Sequence, residues 1–462
     1  MTTIADASIA LDPRAEPAAN PTPHWIDDWR PEDPTFWHDT GETIARRNLA
    51  FSILSEHIGF SIWSLWSVFV LFLGPAYGLD ASQKFLLTTL PTGVGAAMRL
   101  PYTFAVAKFG GRNWTIFSSM LLLVPTIAAA FVLHPGVSFS TMLIVASIAG
   151  VGGGNFSSSM ANIDSYYPQR LKGWALGLNA GGGNIGVAVV QLVGLAVLAT
   201  AGKGHPRVIL AIYIPLIVVA ALCAARYMDN LRHVTNERRA MRDVLREGHA
   251  WVISFLYIGT FGTFIGFGFA FGQVLQVQFK GTFDTPIKAA YLTFLGPLLG
   301  SLIRPVGGRL ADRFGGSLVT LWTFAAMAAG AGVVLCASTI ASLPLFIIGF
   351  IALFVLSGLG NGSTYKMIPA IFTAKAATAI AHGADLEAEQ RNARRLSRAL
   401  IGIAGAIGAF GGVLVNMAFR QSFLDTKSGD RAYAAFIVFY LLCLAVTWFV
   451  YRRRHESRLD GV

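Results

Sequence analysis

The chain has 462 residues, of which 54% are hydrophobic and 13% are charged, whereas soluble proteins carry about 25% charged residues. This composition indicates a protein built for the lipid bilayer, so the formal net charge of +11 reports loop topology and predicts no nucleic-acid partner. The three cysteines lie far apart in apolar runs and predict neither disulfides nor a metal site, and we expect no cofactor.

The first 45 residues are predicted to form a cytoplasmic N-terminal tail. They begin with MTTIADASIALDPRAEPAANPTPHW, which lacks an apolar core and is rich in Ala and Pro. Such a composition is typical of a disordered segment and not of a cleaved signal peptide. The first hydrophobic helix would then act as an uncleaved insertion signal.

Twelve apolar stretches follow, each long enough to cross a hydrocarbon core that needs about 20 helical residues. They predict an all-α membrane protein with twelve transmembrane helices in two pseudo-symmetric six-helix bundles, 46–228 and 250–451. A cytoplasmic basic linker at 229–249 joins the bundles, and a cytoplasmic tail at 452–462 ends the chain. The predicted spans are 50–73, 84–107, 113–133, 140–163, 171–199, 207–228, 250–279, 287–311, 317–340, 344–372, 396–420 and 431–451.

Cationic side chains are concentrated in alternate breaks between these spans. The long polar breaks at 229–249 and 373–395 carry several arginines, whereas 74–83 has no cation and 134–139 has only His134. Because positive residues stay on the cytoplasmic side of a membrane, both termini are predicted to be cytoplasmic.

Two arginines occupy matching positions in the two halves. Arg99 lies in the second span and Arg304 in the eighth, and each is followed ten residues later by Phe-Gly-Gly. A guanidinium at mid-membrane depth costs at least ~2.5–3.5 kcal/mol and usually marks a pathway or a binding site. Two of them predict a shared anion. The alternative is that each arginine pairs with a carboxylate or snorkels, although embedded carboxylates are scarce here.

Two glycine-rich stretches are also duplicated. GGGNFSSSM at 152–160 matches GLGNGSTYKM at 358–367, and GLNAGGGNIG at 177–186 matches GIAGAIGAFG at 402–411. Glycines three and four apart form a smooth face along which a neighbouring helix can slide, or they simply allow close packing. The candidate gating residues are Gly154, Asn155, Asn179, Gly183, Asn184, Gly360, Asn361 and Gly408. Parallel halves of this kind place a substrate at their interface.

The segment GGRLADRFGG at 307–316 lies in the turn after the eighth span. It resembles the signature of the major facilitator superfamily, and Asp312 and Arg313 are candidates for a cytoplasmic lock. The first-half copy has Ala107 in place of the acidic residue, which weakens any lock there. Asp164 is assigned to the lock between the fourth and fifth helices, with loop solvation as the alternative.

Four stretches together resemble the nitrate/nitrite porter family of that superfamily. They are RPEDPTFWHDTGETIARRNL before the first span, GGGNFSSSM, GLNAGGGNIGV and GLGNGSTYKMIPAIF. The two glycine-rich stretches match the nitrate signatures of the family. The resemblance implies a secondary active transporter, not an enzyme, that moves nitrate and nitrite by alternating access in a prokaryotic inner membrane. A carrier for another small organic or inorganic anion is the alternative.

The same resemblance implies the substrate-binding residues. One arginine from each half would clamp the planar anion, matching Arg99 and Arg304. Aromatic rings matching Phe60, Phe156 and Phe261 would close over its faces, with a tyrosine matching Tyr257. The chemistry agrees, because the flat fork of donors in arginine fits a planar oxyanion whereas lysine offers a point charge.

The energy source of transport depends on the first span. Glu56 and His57 lie about two turns into it, and an acid beside a histidine can hold a proton near neutral pH. They are the candidates for proton coupling, which favours nitrate/proton symport. Nitrate/nitrite exchange needs no titrating group and stays the alternative, as does a structural role in which Glu56 neutralises an arginine.

Two other classes of function fit the sequence less well. A channel would use a fixed pore, which the duplicated glycine-rich halves argue against. A membrane enzyme would need a nucleophile, a metal cluster or a redox centre, and the sequence has no motif spacing for one.

Overall fold

The structure is a computed structural model that describes residues 24–234 and 238–453, without the side chain of Arg238. The predicted disordered stretch up to residue 23 and the last residues of the C-terminal tail lie outside these ranges. Nearly all of the described chain is helical.

Six helices form the first half of the molecule. They are α1 (Pro34–Phe72), α2 (Ala81–Phe109), α3 (Gly111–Val132), α4 (Phe139–Tyr166), α5 (Gln169–Thr200) and α6 (Arg207–Tyr227).

Six helices form the second half. They are α7 (Gly248–Gln278), α8 (Pro286–Phe314), α9 (Gly316–Thr339), α10 (Leu343–Ala381), α11 (Leu386–Thr426) and α12 (Asp430–Arg452).

Eleven of the described helices are long and apolar enough to cross a membrane. The twelfth, α2, is 29 residues long but carries Arg99 together with Pro91 and Pro101, all of which lower its mean hydropathy. The predicted fold class, twelve helices in two six-helix bundles, is thus confirmed. An even number of crossings brings both ends of the chain to one face, which we call the terminal side.

Three helices extend far beyond their predicted spans on the terminal side. Helix α1 begins at Pro34, α10 continues to Ala381, and α11 begins at Leu386. The polar break predicted at 373–395 is therefore mostly a helical hairpin. Its polar sequence stays helical because Asp385 caps the start of α11 and Glu387 pairs with Arg391 one turn later at 3.0 Å, both of which stabilise helices.

The duplicated Phe-Gly-Gly motif forms the same turn in both halves. Gly110, between α2 and α3, has φ 86° and ψ 146°, and Gly315, between α8 and α9, has φ 89° and ψ 137°. L residues with a side chain rarely adopt backbone angles with φ near 90°, so glycine is required at both positions. The next glycine of each motif, Gly111 or Gly316, begins the following helix.

The glycine-rich stretches bring helix backbones into direct contact. A Cβ added at Gly152 of α4 would overlap the carbonyl oxygen of Gly59 on α1, and one at Gly358 of α10 would overlap that of Gly300 on α8. These positions therefore provide close packing of the small-residue type.

The two halves meet through α2 with α11 and through α5 with α8. Away from the terminal side, Gln191 donates to the Gly268 carbonyl at 2.8 Å, and Gln273 donates to the Ala81 carbonyl at 2.7 Å. On the terminal side a cavity of about 580 Å³ separates the halves. The molecule is therefore closed away from the terminal side and open toward it.

The start of the described chain fastens the linker to the first half. Strand β1 (Trp25–Ile26) pairs in parallel with β2 (Asn230–Leu231), and a linker helix follows at Arg238–Val244. Asp229 accepts from Arg47 at 2.6 Å and from Asn48 at 3.0 Å. The predicted N-terminal tail is thus ordered from residue 24 onward.

Candidate functional site

Arg99 lies at the centre of the molecule between aromatic rings of both halves. Its side chain on α2 is 0% exposed. Its Cζ lies 4.4 Å from the ring centre of Phe156 on α4 and 4.8 Å from that of Phe261 on α7. Trp63 on α1 adds a third ring at 5.5 Å. These cation–π contacts stabilise the buried charge without neutralising it.

The hydrogen bonds of Arg99 use only part of its donor set. Nη1 donates to the Gly405 carbonyl of α11 at 2.9 Å, which crosses from the first half to the second. Nε and Nη2 are buried and have no acceptor among the described residues. Buried charges are normally paired, so these two groups suit an anionic acceptor.

Arg304 on α8 is the counterpart in the second half and is 4% exposed. Its Nη2 donates to the Tyr257 hydroxyl of α7 at 3.1 Å, and no described residue accepts from its buried Nη1. The two arginines lie within electrostatic range of each other. Each half thus contributes one buried guanidinium with spare donors.

An aromatic cluster joins the two arginines. Phe60 packs edge-on against Phe156 at 6.1 Å, Phe156 lies 6.0 Å from Phe261, and Phe261 stacks on Tyr257 at 5.2 Å. Phe261 lies on a π-helical turn of α7, Ile258–Gly262, a feature that is frequent at functional sites. The structure therefore brings all six predicted substrate-binding residues into one cluster.

The predicted coupling residues lie next to this cluster but have separate partners. Glu56 is 1% exposed, and its Oε2 accepts from Asn179 Nδ2 of α5 at 2.7 Å. Asn179 also donates to Ser159 of α4 at 2.5 Å. His57 is half-buried and lies against the Gly182 carbonyl, with Nδ1 at 3.2 Å from the oxygen.

Glu56 does not form an ion pair with an arginine in the described structure, although both Arg99 and Arg304 lie within electrostatic range. A Cβ added at Gly183 would overlap Oε1 of Glu56. The glycine at 183 therefore makes the space that the carboxyl occupies.

The other predicted gating residues lie on buried helix faces. Gly154 faces the Tyr102 ring, and a Cβ added at Gly154 would lie 2.8 Å from that ring. Gly360 faces Thr260, and a Cβ added at Gly360 would lie 2.6 Å from the Thr260 methyl group. A Cβ at Gly408 would overlap the Tyr257 ring. The side-chain amides of Asn155 and Asn361, and the amide oxygen of Asn184, are buried with no hydrogen-bond partner among the described residues.

The two carboxylates among the predicted lock residues lie on the terminal side and form separate sets of ion pairs. Asp164 on α4 accepts from Lys172 on α5 at 3.1 Å and from Arg398 on α11 at 2.6 Å, so it links the two halves. Asp312 on α8 pairs with Lys366 on α10 at 2.8 Å, within the second half. Arg313 lies over the ring of Phe314.

The cavity on the terminal side leads toward the arginines. Asp164, Lys172 and Arg398 line it, and Phe156 lies at its inner end against Arg99. Several arginines of α11 face it, and a cationic lining raises the local concentration of anions. An anion entering from this side would meet positive charge before it reached the ring of Phe156.

Sequence reasoning missed four residues around this site: Trp63, Ser159, Tyr365 and Arg398. Internal repetition could have identified two of them. The same number of residues separates Ser159 from Tyr365 as separates Asn155 from Asn361. Trp63 and Arg398 carry no such signal, because their contacts depend on how the helices pack.

Comparison with known proteins gives a consistent result. A family model described as the Major Facilitator Superfamily matches residues 50–384. "Nitrate/nitrite transporter NarU" of Salmonella typhimurium is 37% identical, over 94% of this chain and 97% of its own length. "Probable nitrate/nitrite antiporter NarK2" of Thermus thermophilus is 31% identical, over 94% of this chain and 98% of its own.

Solved structures share the same architecture. A D-xylose-proton symporter superposes with a TM-score of 0.68 at 13% identity, over 91% of this chain and 99% of its own. A bacterial homolog to the human lysosomal transporter Spinster, inward-facing and unoccupied, gives 0.60 at 17% identity, over 88% and 96%. At these identities the likeness concerns the fold alone.

Proposed function

Because the chain belongs to the nitrate/nitrite porter family of the Major Facilitator Superfamily, as its motifs indicated, we propose that it carries nitrate and nitrite across the cytoplasmic membrane by alternating access. The chain is a membrane transporter and not an enzyme. One observation carries the substrate proposal: each half contributes a buried arginine with N–H groups that donate to no acceptor among the described residues.

The proposed binding mode follows from the chemistry of these groups. Nitrate is planar, weakly hydrated and carries its charge on three oxygens. Nε and Nη2 of Arg99 and Nη1 of Arg304 are the donors available to it. A planar guanidinium matches an oxyanion geometrically, and the positive edges of Phe60, Phe156 and Phe261 can face its oxygens. Apolar walls disfavour the more strongly hydrated sulfate and phosphate.

The arginines also give a reason for movement. Two positive groups that lie within electrostatic range repel each other and oppose closure of the halves. An anion between them offsets this repulsion and attracts both, which favours closure around it. The halves would then rock about the site, as in other transporters built from repeats.

For coupling, we propose nitrate/proton symport through Glu56, assisted by His57. The supporting observation is that Glu56 is buried and held by a neutral amide, Asn179, so its carboxyl is free to gain and lose a proton. Nitrate/nitrite antiport by the same arginines is the second candidate, and the name of the Thermus relative favours it.

We further propose that the terminal side faces the cytoplasm of a prokaryotic cell, so that both termini are cytoplasmic. The support is the clustering of cations on this side, as the positive-inside rule describes. Labelling of single cysteines introduced at Ser138 and Thr426, which lie opposite the terminal side, tests this. Both should react with an impermeant maleimide added outside intact cells.

The function is tested with the purified protein in proteoliposomes. Nitrate uptake is measured with and without internal nitrite, across an imposed pH gradient, with protein-free liposomes as the inactive reference. Uptake driven by an inward proton gradient alone supports symport, and uptake that requires internal nitrite supports exchange. Absence of nitrate and nitrite uptake in every arm, or equal uptake of unrelated anions, would overturn the proposal.

A further inference from the structure

A second phenol lies beside the arginine of the second half. Tyr365 is on α10, one helical turn to the terminal side of Asn361. Its ring centre lies 5.5 Å from Cζ of Arg304 and 5.9 Å from the ring centre of Tyr257. Two tyrosines therefore flank the same guanidinium.

The hydroxyl of Tyr365 is not used in the hydrogen bonding of the described residues. Its oxygen is buried, and no described residue forms a hydrogen bond with it. Tyrosine hydroxyls in such positions usually have a partner, because leaving one without a bond is costly. Nη1 of Arg304 is unpaired in the same way. The phenol also lies within electrostatic range of Arg99.

We propose that the Tyr365 hydroxyl donates a hydrogen bond to the transported anion and makes the site prefer nitrate over nitrite. This inference rests on the proposed function, since it assigns a specificity-determining residue to the same anion site. Nitrate has three oxygens and nitrite has two. We assign the free N–H groups of the two arginines to two of these oxygens, and a further phenol on the terminal side serves the third. A donor that only the third oxygen uses stabilises nitrate more than nitrite.

The residue of the first half that corresponds to Tyr365 already has hydrogen-bond partners in the protein. Ser159 is the counterpart of Tyr365 in the repeat, and it is already bonded to Asn179 at 2.5 Å and to Ser52 at 2.8 Å. Its hydroxyl belongs to the hydrogen-bond network around Glu56. Tyr365 has no comparable commitment among the described residues, which leaves its hydroxyl for the substrate.

The test compares Tyr365→Phe with the wild type in proteoliposomes. Phenylalanine keeps the ring beside Arg304 and removes only the hydroxyl. We expect the KM for nitrate to rise about tenfold, the effect of one hydrogen bond to a charged ligand. The inhibition constant of nitrite should change by less than about twofold, because nitrite has no third oxygen.

The matched control is Tyr433→Phe on α12. This phenol is also buried without a described partner for its hydroxyl, but it packs among Phe346, Phe350 and Phe419, away from the arginines. It should leave both constants unchanged. A merely structural role for Tyr365 would move the nitrate and nitrite constants together.

The inference is overturned if the ratio of the nitrate KM to the nitrite inhibition constant is the same in Tyr365→Phe as in the wild type. If that variant is not recovered folded, the same ratio in Tyr365→Met decides, since methionine also lacks the hydroxyl. The proposed function fails separately, because a wild type that takes up no nitrate contradicts the transport proposal before any variant is compared.

Discussion

In the first half, Arg99 reaches across the interface and donates to the Gly405 carbonyl, whereas Arg304 in the second half stays within its own bundle and donates to Tyr257. The residues that lie near the two arginines also differ between the halves. Glu56 and Tyr257 occupy equivalent positions of α1 and α7, since the number of residues between them equals the number between Phe60 and Phe261. One half presents a carboxylate and the other a phenol.

This difference suggests a division of labour within a duplicated site. The carboxyl group of Glu56 accepts from Asn179, which also donates to Ser159, so Glu56 is held by a neutral amide and not by an arginine. The phenol of Tyr257 binds Arg304 directly and orients it. The two halves also make equivalent space, since Gly183 faces Glu56 and Gly408 faces Tyr257. We therefore propose that the first half serves coupling and that the second half orients the anion.

The largest expected effect is loss of transport in Arg99→Lys or Arg304→Lys. Either change should reduce nitrate uptake by at least about 100-fold, because an ammonium cannot reproduce the planar set of charge-assisted donors. The control is Arg226→Lys on α6, an exposed arginine beside Tyr227, which should transport normally. Near-normal uptake by Arg304→Lys would rule out the clamp.

A change in Glu56 should separate coupling from binding. Glu56→Gln, alone or with His57→Asn, keeps the shape of the side chain but cannot carry a proton. Uptake driven by a proton gradient should fall at least about tenfold, while counterflow of nitrate against nitrate continues. Glu42→Gln, on the part of the same helix nearest the terminal side, where Glu42 pairs with Arg46, is the control. Proton-driven uptake that persists in the double variant would assign coupling elsewhere.

Two glycine substitutions test the division between the halves. Gly183→Ala should displace the Glu56 carboxyl and mainly reduce proton-driven uptake, whereas Gly408→Ala should displace Tyr257 and mainly raise the KM for nitrate. We expect effects of about fivefold to tenfold, the range of modest overpacking. Gly181→Ala is the matched control for Gly183→Ala, because a Cβ added at Gly181 has nothing within 4 Å. Identical kinetic defects in Gly183→Ala and Gly408→Ala would argue against the division.

The smallest effect is expected at the ion pair between the halves on the terminal side. Arg398→Gln removes the partner that α11 offers to Asp164, and the exposed position of Arg398 limits the effect to about twofold to threefold in uptake rate. The effect should shrink at high ionic strength, where such pairs are screened. Arg391→Gln, whose partner Glu387 lies on the same helix, is the control. A defect that does not depend on salt would point to packing instead.

The sequence identified the main features of the site because duplication makes them visible twice. Arg99 and Arg304 stand out as charges in apolar runs, and the Phe-Gly-Gly turn repeats with nearly the same backbone angles. The resemblance then selected Phe60, Phe156 and Phe261 from the 33 phenylalanines of the chain. No periodicity could have done so, since a phenylalanine in a lipid-facing run looks the same as one in a binding site.

What the sequence did not predict depends on contacts between distant segments. The pair of Asp164 with Arg398 joins residues on different halves, and nothing local to either residue indicates it. The helical hairpin at the ends of α10 and α11 was read as a polar break, because hydrophobicity marks where a helix enters lipid and not where the helix ends. Strand β1 escaped notice because it is two residues long.

The bond from Arg99 to the Gly405 carbonyl bears on the return half of the transport cycle. A symporter must return across the membrane without bound substrate, whereas an obligate exchanger must not reorient while it is empty. The bond joins α2 of the first half to α11 of the second, so rocking of the halves past each other strains or breaks it. Arg304 donates to Tyr257 of its own half, so under the proposed function the 2.9 Å contact of Arg99 is a link between the halves that an empty carrier has to break in order to reorient.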